Sequence, residues 1–186
     1  MNILRRTLLA CASAVVLASL VGCGKKESEV KSPKKDSIIF GFATELNNFD
    51  PFSSMTAEAR SVNFNIFDGL VNVNTEGGFT PAIAQSYSIS DDATVYTFVL
   101  RKGVKFHNGK ELTSDDVMYS IQKAIDSSLS GYKKIKDFYI DTDGSLVIKL
   151  SSADAGFVAY LTTPIVVANA ENLALAPVGT GPFKLA

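Results

Sequence analysis

The sequence predicts an α/β domain that follows an export signal. Three patterns indicate this: an apolar run near the N-terminus, apolar stripes at helical spacing, and pairs of alternating strands joined by tight turns. With 186 residues, 46% of them hydrophobic, the chain is long enough to bury a core. A net charge of -1 gives no reason to expect nucleic acid as a partner.

The first 22 residues are typical of a lipoprotein signal peptide. Arg5 and Arg6 precede an apolar run over residues 8–22, which is shorter than the roughly 20 residues needed to span a bilayer comfortably. The run ends in Leu-Val-Gly-Cys and resembles the bacterial lipobox, in which the cysteine, here Cys23, is lipidated and becomes the mature first residue. An ordinary signal peptide or a weak membrane anchor is the alternative.

Residues 23–36 are charged and contain Ser and Pro, which predicts a flexible tether. Residues 1–36 carry a net charge of +4 and residues 37–186 a net charge of -5, so the basic excess lies before the domain. Cys11 would leave with the signal peptide and Cys23 would carry lipid. The mature domain then has no thiol for catalysis, a disulfide or a zinc cluster.

Two helices are predicted, over residues 55–70 and 114–127. The first has an apolar stripe and Gly69 near its end. The second follows a capping box that begins at Thr113, with Asp115 and Asp116 at the positive end of the helix.

Short helices and strands are predicted in the rest of the domain. The short helices lie at residues 81–84 and 155–161. Strands are expected at residues 37–43, 71–73, 86–90, 95–100, 139–140 and 146–150, with a strand start at 183–185. The strands at 86–100 and at 139–150 form two hairpins, because each pair flanks a tight turn.

His107 is the only histidine of the chain and the first candidate for chemistry. It has no second histidine or cysteine with which to share a metal, and a catalytic base needs a placed partner. Asn108-Gly109 beside it is a turn signal, so we expect a structural or surface role. Gly179-Thr-Gly181 lacks the spacing of a nucleotide-binding loop, and GxSxG and HExxH are absent from the sequence.

The motifs, in order, resemble the peptide/nickel-type extracellular solute-binding proteins (family 5) of bacterial ABC transporters. Residues 81–124 are similar to the signature region of that family, and residues 177–185, PVGTGPFKL, are similar to a second signature. The segments at residues 46–54 and 66–71 and the lipobox at Cys23 fit as well.

The resemblance implies a periplasmic-binding-protein type II-like fold that is incomplete here. Residues 37–67 would start lobe I, residues 68–165 would form its inserted subdomain, and residues 166–186 would return to lobe I. Family members run to roughly 500 residues, beyond the usual size of one domain. Lobe II is therefore expected to be absent, whether the chain is a truncated product or a partial sequence.

The resemblance also implies a function. The chain would be the substrate-binding lipoprotein of an ABC importer for peptides or a related small solute, exported, anchored to the membrane through Cys23 and monomeric. Ligand would be bound between two lobes and delivered to the permease subunits, with no cofactor, no metal and no catalysis.

Five residues are implied as ligand contacts: Ser54, Met55, Thr56 and Ala57, which follow the Asp-Pro turn, and Tyr132. For Tyr132 the alternative is a loop aromatic. Two other functions remain open. One is a truncated, non-transporting fragment that acts as a cell-surface interaction module. The other is a zinc- or nucleophile-dependent enzyme, which a single histidine and the lack of a usable cysteine disfavour.

Overall fold

The computed structural model of the chain describes residues 37–186. The predicted signal peptide, the tether and Cys23 lie outside the described residues. Residues 37–40 form no regular element, and Ile39 is 94% exposed. Residues 41–186 form one compact unit, which holds all the helices and strands of the described part of the chain.

A four-stranded antiparallel sheet is the centre of this unit, with strand order β3-β4-β6-β5. Its strands are β3 (Ala84–Ile89), β4 (Val95–Leu100), β5 (Ile135–Ile140) and β6 (Leu146–Leu150). β3 with β4 and β5 with β6 form the two predicted hairpins, and the pairing of β4 with β6 joins them. A separate two-stranded sheet pairs β1 (Val71–Val73) with β2 (Phe79–Pro81).

The core lies against one face of the larger sheet. Tyr96 and Phe98 on β4 and Leu146 and Ile148 on β6 are fully buried, as expected when alternate residues of a strand face the same side. Helix α2 (Ser114–Asp126) adds three buried residues of its apolar stripe to the same core. These are Val117, Ile121 and Ala124.

Both long helices were predicted, and the first is shorter than expected. Helix α1 spans Ala57–Ile66 and ends because Phe67 has an extended backbone with φ of -121°. The prediction that Gly69 closes this helix was wrong. Gly69 is instead a point of close approach, since a Cβ there would lie 2.6 Å from the Leu161 carbonyl oxygen.

Three predicted strand or helix segments were wrong. Residues 37–43 and 183–185 form no strand, because no strand of the described residues pairs with either segment. Residues 81–84 are not helical: Pro81 ends β2 opposite Val71, and β3 begins at Ala84. A β-strand depends on hydrogen bonds to a partner strand, and the apolar pattern of one segment does not indicate whether such a partner is present.

The short helix predicted at residues 155–161 is present in a different form. The structure has a 3-10 helix over Phe157–Thr162, which buries Phe157, Val158 and Leu161. A further 3-10 turn, Tyr132–Lys134, leads into β5. A short apolar run of this kind is compatible with an α-helix or a 3-10 helix. The sequence pattern therefore predicted where the helix lies but not which of the two types it is.

Asp116 links three segments at the start of α2. The predicted capping box is present, and Asp116 Oδ2 accepts hydrogen bonds from the Thr113 amide and hydroxyl, both at 2.9 Å. Its Oδ1 accepts from Lys110 Nζ and from the Ala168 amide, both at 2.7 Å. The residue is fully buried. Burial alone would raise the pKa of this carboxyl, but the bonds from Ala168, Lys110 and Thr113 outweigh burial and lower it.

Replacing Asp116 should change both the stability and its dependence on pH. In Asp116→Asn the amide group would face donors on every side, so we expect the free energy of unfolding at neutral pH to fall by about 3 kcal/mol. Because the folded pKa of Asp116 is lowered, its contribution is present above the ordinary value of 3.8 and lost as the pH falls through the folded pKa.

Urea unfolding measured from neutral to acid pH tests this. The variant should lose less stability on acidification than the parent chain does. Asp115→Asn is the matched control, since Asp115 is exposed on the same turn and should change stability by less than about 0.5 kcal/mol. Identical pH dependence of the parent and Asp116→Asn would contradict the role of this carboxylate.

Candidate ligand-binding site

The Asp50-Pro51 turn sets the position of the predicted ligand-contacting residues. Phe49 and Phe52 on its two sides are buried in the core. Within the turn, the Asp50 amide donates to Asn48 Oδ1 at 3.0 Å, and Asp50 Oδ1 accepts from the Phe52 amide at 3.0 Å. Such side-chain-to-backbone bonds stabilise a turn locally, so the chain that follows it leaves the core at a defined point.

The residues after this turn form one wall of a small cavity. The cavity has a volume of about 120 Å³ and lies between residues 45–48 and the start of α1. Its lining consists of Glu45, Leu46, Asn47, Asn48, Ser54, Met55, Thr56 and Ala59. Three of the predicted residues, Ser54, Met55 and Thr56, therefore lie together, whereas Ala57 is exposed and does not line the cavity.

Thr56 and Asn48 hold the wall of the cavity in place. Thr56 is the N-cap of α1, and its Oγ1 accepts from the Ala59 amide at 3.2 Å. Asn48 Nδ2 donates to Ser53 Oγ at 2.8 Å and to the Ser54 carbonyl at 3.1 Å. The cavity thus combines polar groups of fixed orientation with the apolar side chains of Leu46 and Met55, as small-molecule sites do.

Sequence reasoning missed Asn48 and Asn63. Asn48 stands in the Leu-Asn-Asn-Phe-Asp-Pro segment, where asparagine before a turn is itself a signal for side-chain-to-backbone bonds. Asn63 is buried on α1, and its Nδ2 donates to the Phe49 carbonyl at 2.8 Å. The available signal was a polar residue within the apolar stripe of a predicted helix.

Tyr132 lies in the core and does not line this cavity. It is 3% exposed, its ring packs at 6.5 Å from Phe157, and its hydroxyl donates to the Tyr160 carbonyl at 3.2 Å. Burial raises the pKa of Tyr132 to about 12. The structure gives this residue a packing role, and its contact with ligand stays a prediction.

His107 bridges two segments that lie far apart in the sequence. Its backbone amide donates to the Gly179 carbonyl at 2.9 Å, and its Nδ1 accepts from the Gly179 amide at 3.3 Å. Nε2 lies 2.8 Å from the Gly181 carbonyl oxygen and therefore carries the proton in this network. The prediction of a structural role for His107 is confirmed.

The Gly179–Gly181 segment packs on the carboxyl end of α1. The Gly181 amide donates to the Ile66 carbonyl at 2.9 Å, and Thr180 Oγ1 donates to Asp68 Oδ2 at 3.1 Å. A Cβ at Gly179 would lie 2.0 Å from the Ile66 carbonyl oxygen, so glycine is required there for close approach. This arrangement explains the Gly-Thr-Gly sequence without a nucleotide.

A second, larger cavity of about 420 Å³ lies elsewhere, between the end of β4, the β5–β6 turn and the start of α2. It contains none of the five predicted residues. Among residues 37–186, no three His, Cys, Asp or Glu side chains come together as a metal site would require. No helix in that range combines the length and hydrophobicity needed to cross a membrane.

Comparison with known proteins identifies the class as the solute-binding proteins of bacteria. The family model "Bacterial extracellular solute-binding proteins, family 5 Middle" matches residues 78–186, more than half of the chain. The chain belongs to this family.

Individual relatives agree with the assignment. Heme-binding protein A of Haemophilus influenzae is 30% identical in an alignment of 225 positions, gaps included, which covers 97% of this chain and 41% of that protein. The structure of AgaA with agropinic acid, from A. tumefaciens R10, superposes with a TM-score of 0.69 at 34% identity, over 76% of this chain and 31% of the other. DppA from Helicobacter pylori, in complex with peptide STSA, gives a TM-score of 0.64 at 30% identity, over 74% and 34%.

These similarities confirm the predicted family and fold class. The mixed α/β structure matches part of the type II periplasmic-binding-protein fold. The chain spans less than half the length of the relatives described here.

Proposed function

We propose that this chain is the substrate-binding lipoprotein of an ABC importer that takes up peptides or a related small solute. It binds ligand between two lobes, passes it to the permease subunits in the membrane and catalyses no reaction. Family membership supports this, as do relatives named for or solved with haem, agropinic acid and peptide STSA. Residues 37–67 and 166–186 supply lobe I, and residues 68–165 its inserted subdomain.

The observation that carries the proposal is the cavity at the start of α1. The Ser54 and Thr56 side chains and the Asn47 amide offer hydrogen bonds, and Glu45 offers a carboxylate for a cationic group such as a peptide amino terminus. Leu46, Met55 and Ala59 supply apolar surface for a small side chain. A peptide presents both kinds of group within a few ångströms.

Binding to this wall alone should be weak. A cavity of about 120 Å³ covers only part of a peptide, whereas tight sites enclose most of their ligand. The entropic cost of association is then offset by few contacts, so we expect dissociation constants in the millimolar range.

Methyl NMR on the full chain with ¹³C-methyl methionine tests peptide binding at this cavity. The sequence has three methionines, of which Met55 lines the cavity and Met118 lies on α2. On titration with the peptide Ser-Thr-Ser-Ala, the Met55 methyl resonance should move and saturate while that of Met118 stays in place. Met55→Leu assigns the resonance, and free serine, threonine and alanine at matched concentration are the control.

Two results would overturn the peptide site. One is an unchanged Met55 resonance at millimolar peptide. The other is an equal movement of the Met55 and Met118 resonances, which would mean an effect on the whole domain.

Lipid attachment at Cys23 has its own test. Acylation places the protein at the membrane, and Cys23→Ser removes the only sulfur in the lipobox-like segment. After expression in a bacterium, the parent chain should fractionate with membranes and the variant should move to the soluble or exported fraction. Cys11→Ser is the matched control and should stay with the membranes. A Cys23→Ser chain that remains membrane-bound would contradict the lipid anchor.

A further inference from the structure

Asn63 connects the Asp-Pro turn, α1 and the cavity wall. It is 3% exposed, and its side-chain amide nitrogen donates to two acceptors that precede α1 in the chain. One is the Phe49 carbonyl at 2.8 Å and the other is Met55 Sδ at 3.1 Å. Asn63 therefore contacts both the buried side of the turn and the side chain that follows it.

The orientation of this amide is determined by its contacts. If the amide were rotated by half a turn, Asn63 Oδ1 would face the Phe49 carbonyl oxygen, and two acceptors would oppose each other. In the observed orientation Oδ1 has no hydrogen-bond partner. Among residues 37–186, no other buried side-chain nitrogen or oxygen lacks one. An orphaned acceptor destabilises the folded chain.

Because the orphaned oxygen destabilises the fold, an asparagine at this position needs a role that an apolar residue could not fill. A leucine has a similar volume and would fill the position without an unpaired oxygen. What leucine cannot do is donate to Phe49 and Met55. An unsatisfied polar group in a native structure calls for an explanation of this kind.

We propose that Asn63 is a positioning residue for the candidate ligand site, acting through Met55. Methionine has a flexible side chain that adapts to its surroundings. The bond from Asn63 holds the Met55 thioether in one place, so that the cavity has its shape before ligand arrives. Such preorganisation raises affinity, since less conformational freedom is lost on binding. This inference rests on the proposed function.

The position of Asn63 on the helix supports the assignment. Ala59, which lines the cavity, lies four residues earlier and hence on the same face of α1, one turn nearer the cavity. Met55 is half-buried, with its sulfur directed toward Asn63 while its residue lines the cavity. Asn63 thus supports the wall from behind and does not itself line the cavity.

The first test is Asn63→Leu in the ligand-free full chain labelled with ¹³C-methyl methionine. Once released, the Met55 methyl resonance should shift toward the position of a freely rotating side chain, while the Met118 resonance stays in place. Asn65→Leu is the matched control, because Asn65 is on the same helix, is exposed and donates to the Ser61 carbonyl at 3.1 Å. An unchanged Met55 resonance in Asn63→Leu would overturn the proposal.

The second test is a double-mutant cycle with the peptide Ser-Thr-Ser-Ala as probe. Asn63→Leu should raise the dissociation constant roughly fivefold, which is the usual effect of losing one hydrogen bond. In the Met55→Leu background the same substitution should raise the dissociation constant by less than about twofold, because the residue through which Asn63 acts has already been replaced. The same loss in both backgrounds would mean a general structural role and would overturn the proposal.

A third measurement applies even if Asn63→Leu fails to fold. In the parent chain both side-chain amide protons of Asn63 are hydrogen-bonded, so both should exchange slowly with solvent. In Met55→Leu one of the two should exchange faster, and equal protection in both chains would overturn the proposal. If the peptide fails to bind the parent chain, the proposed peptide site fails, while the methyl and amide measurements still decide the role of Asn63.

Discussion

The close packing of Gly179 and Gly181 against the carboxyl end of α1 is the contact on which the remaining arrangement depends. The Ile66 carbonyl accepts from the Gly181 amide at 2.9 Å, and His107 holds both glycines through its ring nitrogens. Residues more than 100 positions apart are thereby joined through backbone groups. This fixes the end of α1, and the start of the same helix forms the cavity wall.

Asp116 makes a comparable connection to Ala168, which precedes Gly179 in the chain. It joins the start of α2 to the Lys110 side chain and the Ala168 amide, so the Asp116 and His107 side chains each tie residues 166–181 to the domain. Both ties lie within residues 78–186, the part that matches the family model. The candidate ligand wall, at residues 45–59, lies outside it.

The sequence predicted the hairpins, α2 and the capping box because each depends on local patterns: alternation, turn dipeptides and a cap. It failed for residues 37–43 and 183–185, where a strand requires a partner that local patterning does not reveal. At the candidate site, the resemblance named Ser54, Met55 and Thr56, which line one cavity, and their contact with ligand stays a prediction. It did not indicate Asn63, since the bond to Met55 Sδ depends on how the turn folds back onto α1. The role of His107 followed from exclusion, but its partners Gly179 and Gly181 are contacts of tertiary structure.

The packing of Gly179 against the end of α1 is tested most directly by comparing two glycine substitutions by urea unfolding of the full chain. At Gly179→Ala the new methyl group would meet the Ile66 carbonyl oxygen at 2.0 Å, and the free energy of unfolding should fall by about 2 kcal/mol or more. At Gly41→Ala the methyl group meets nothing within 4 Å, and the change should stay below about 0.5 kcal/mol. Equal, small changes at the two positions would contradict the account.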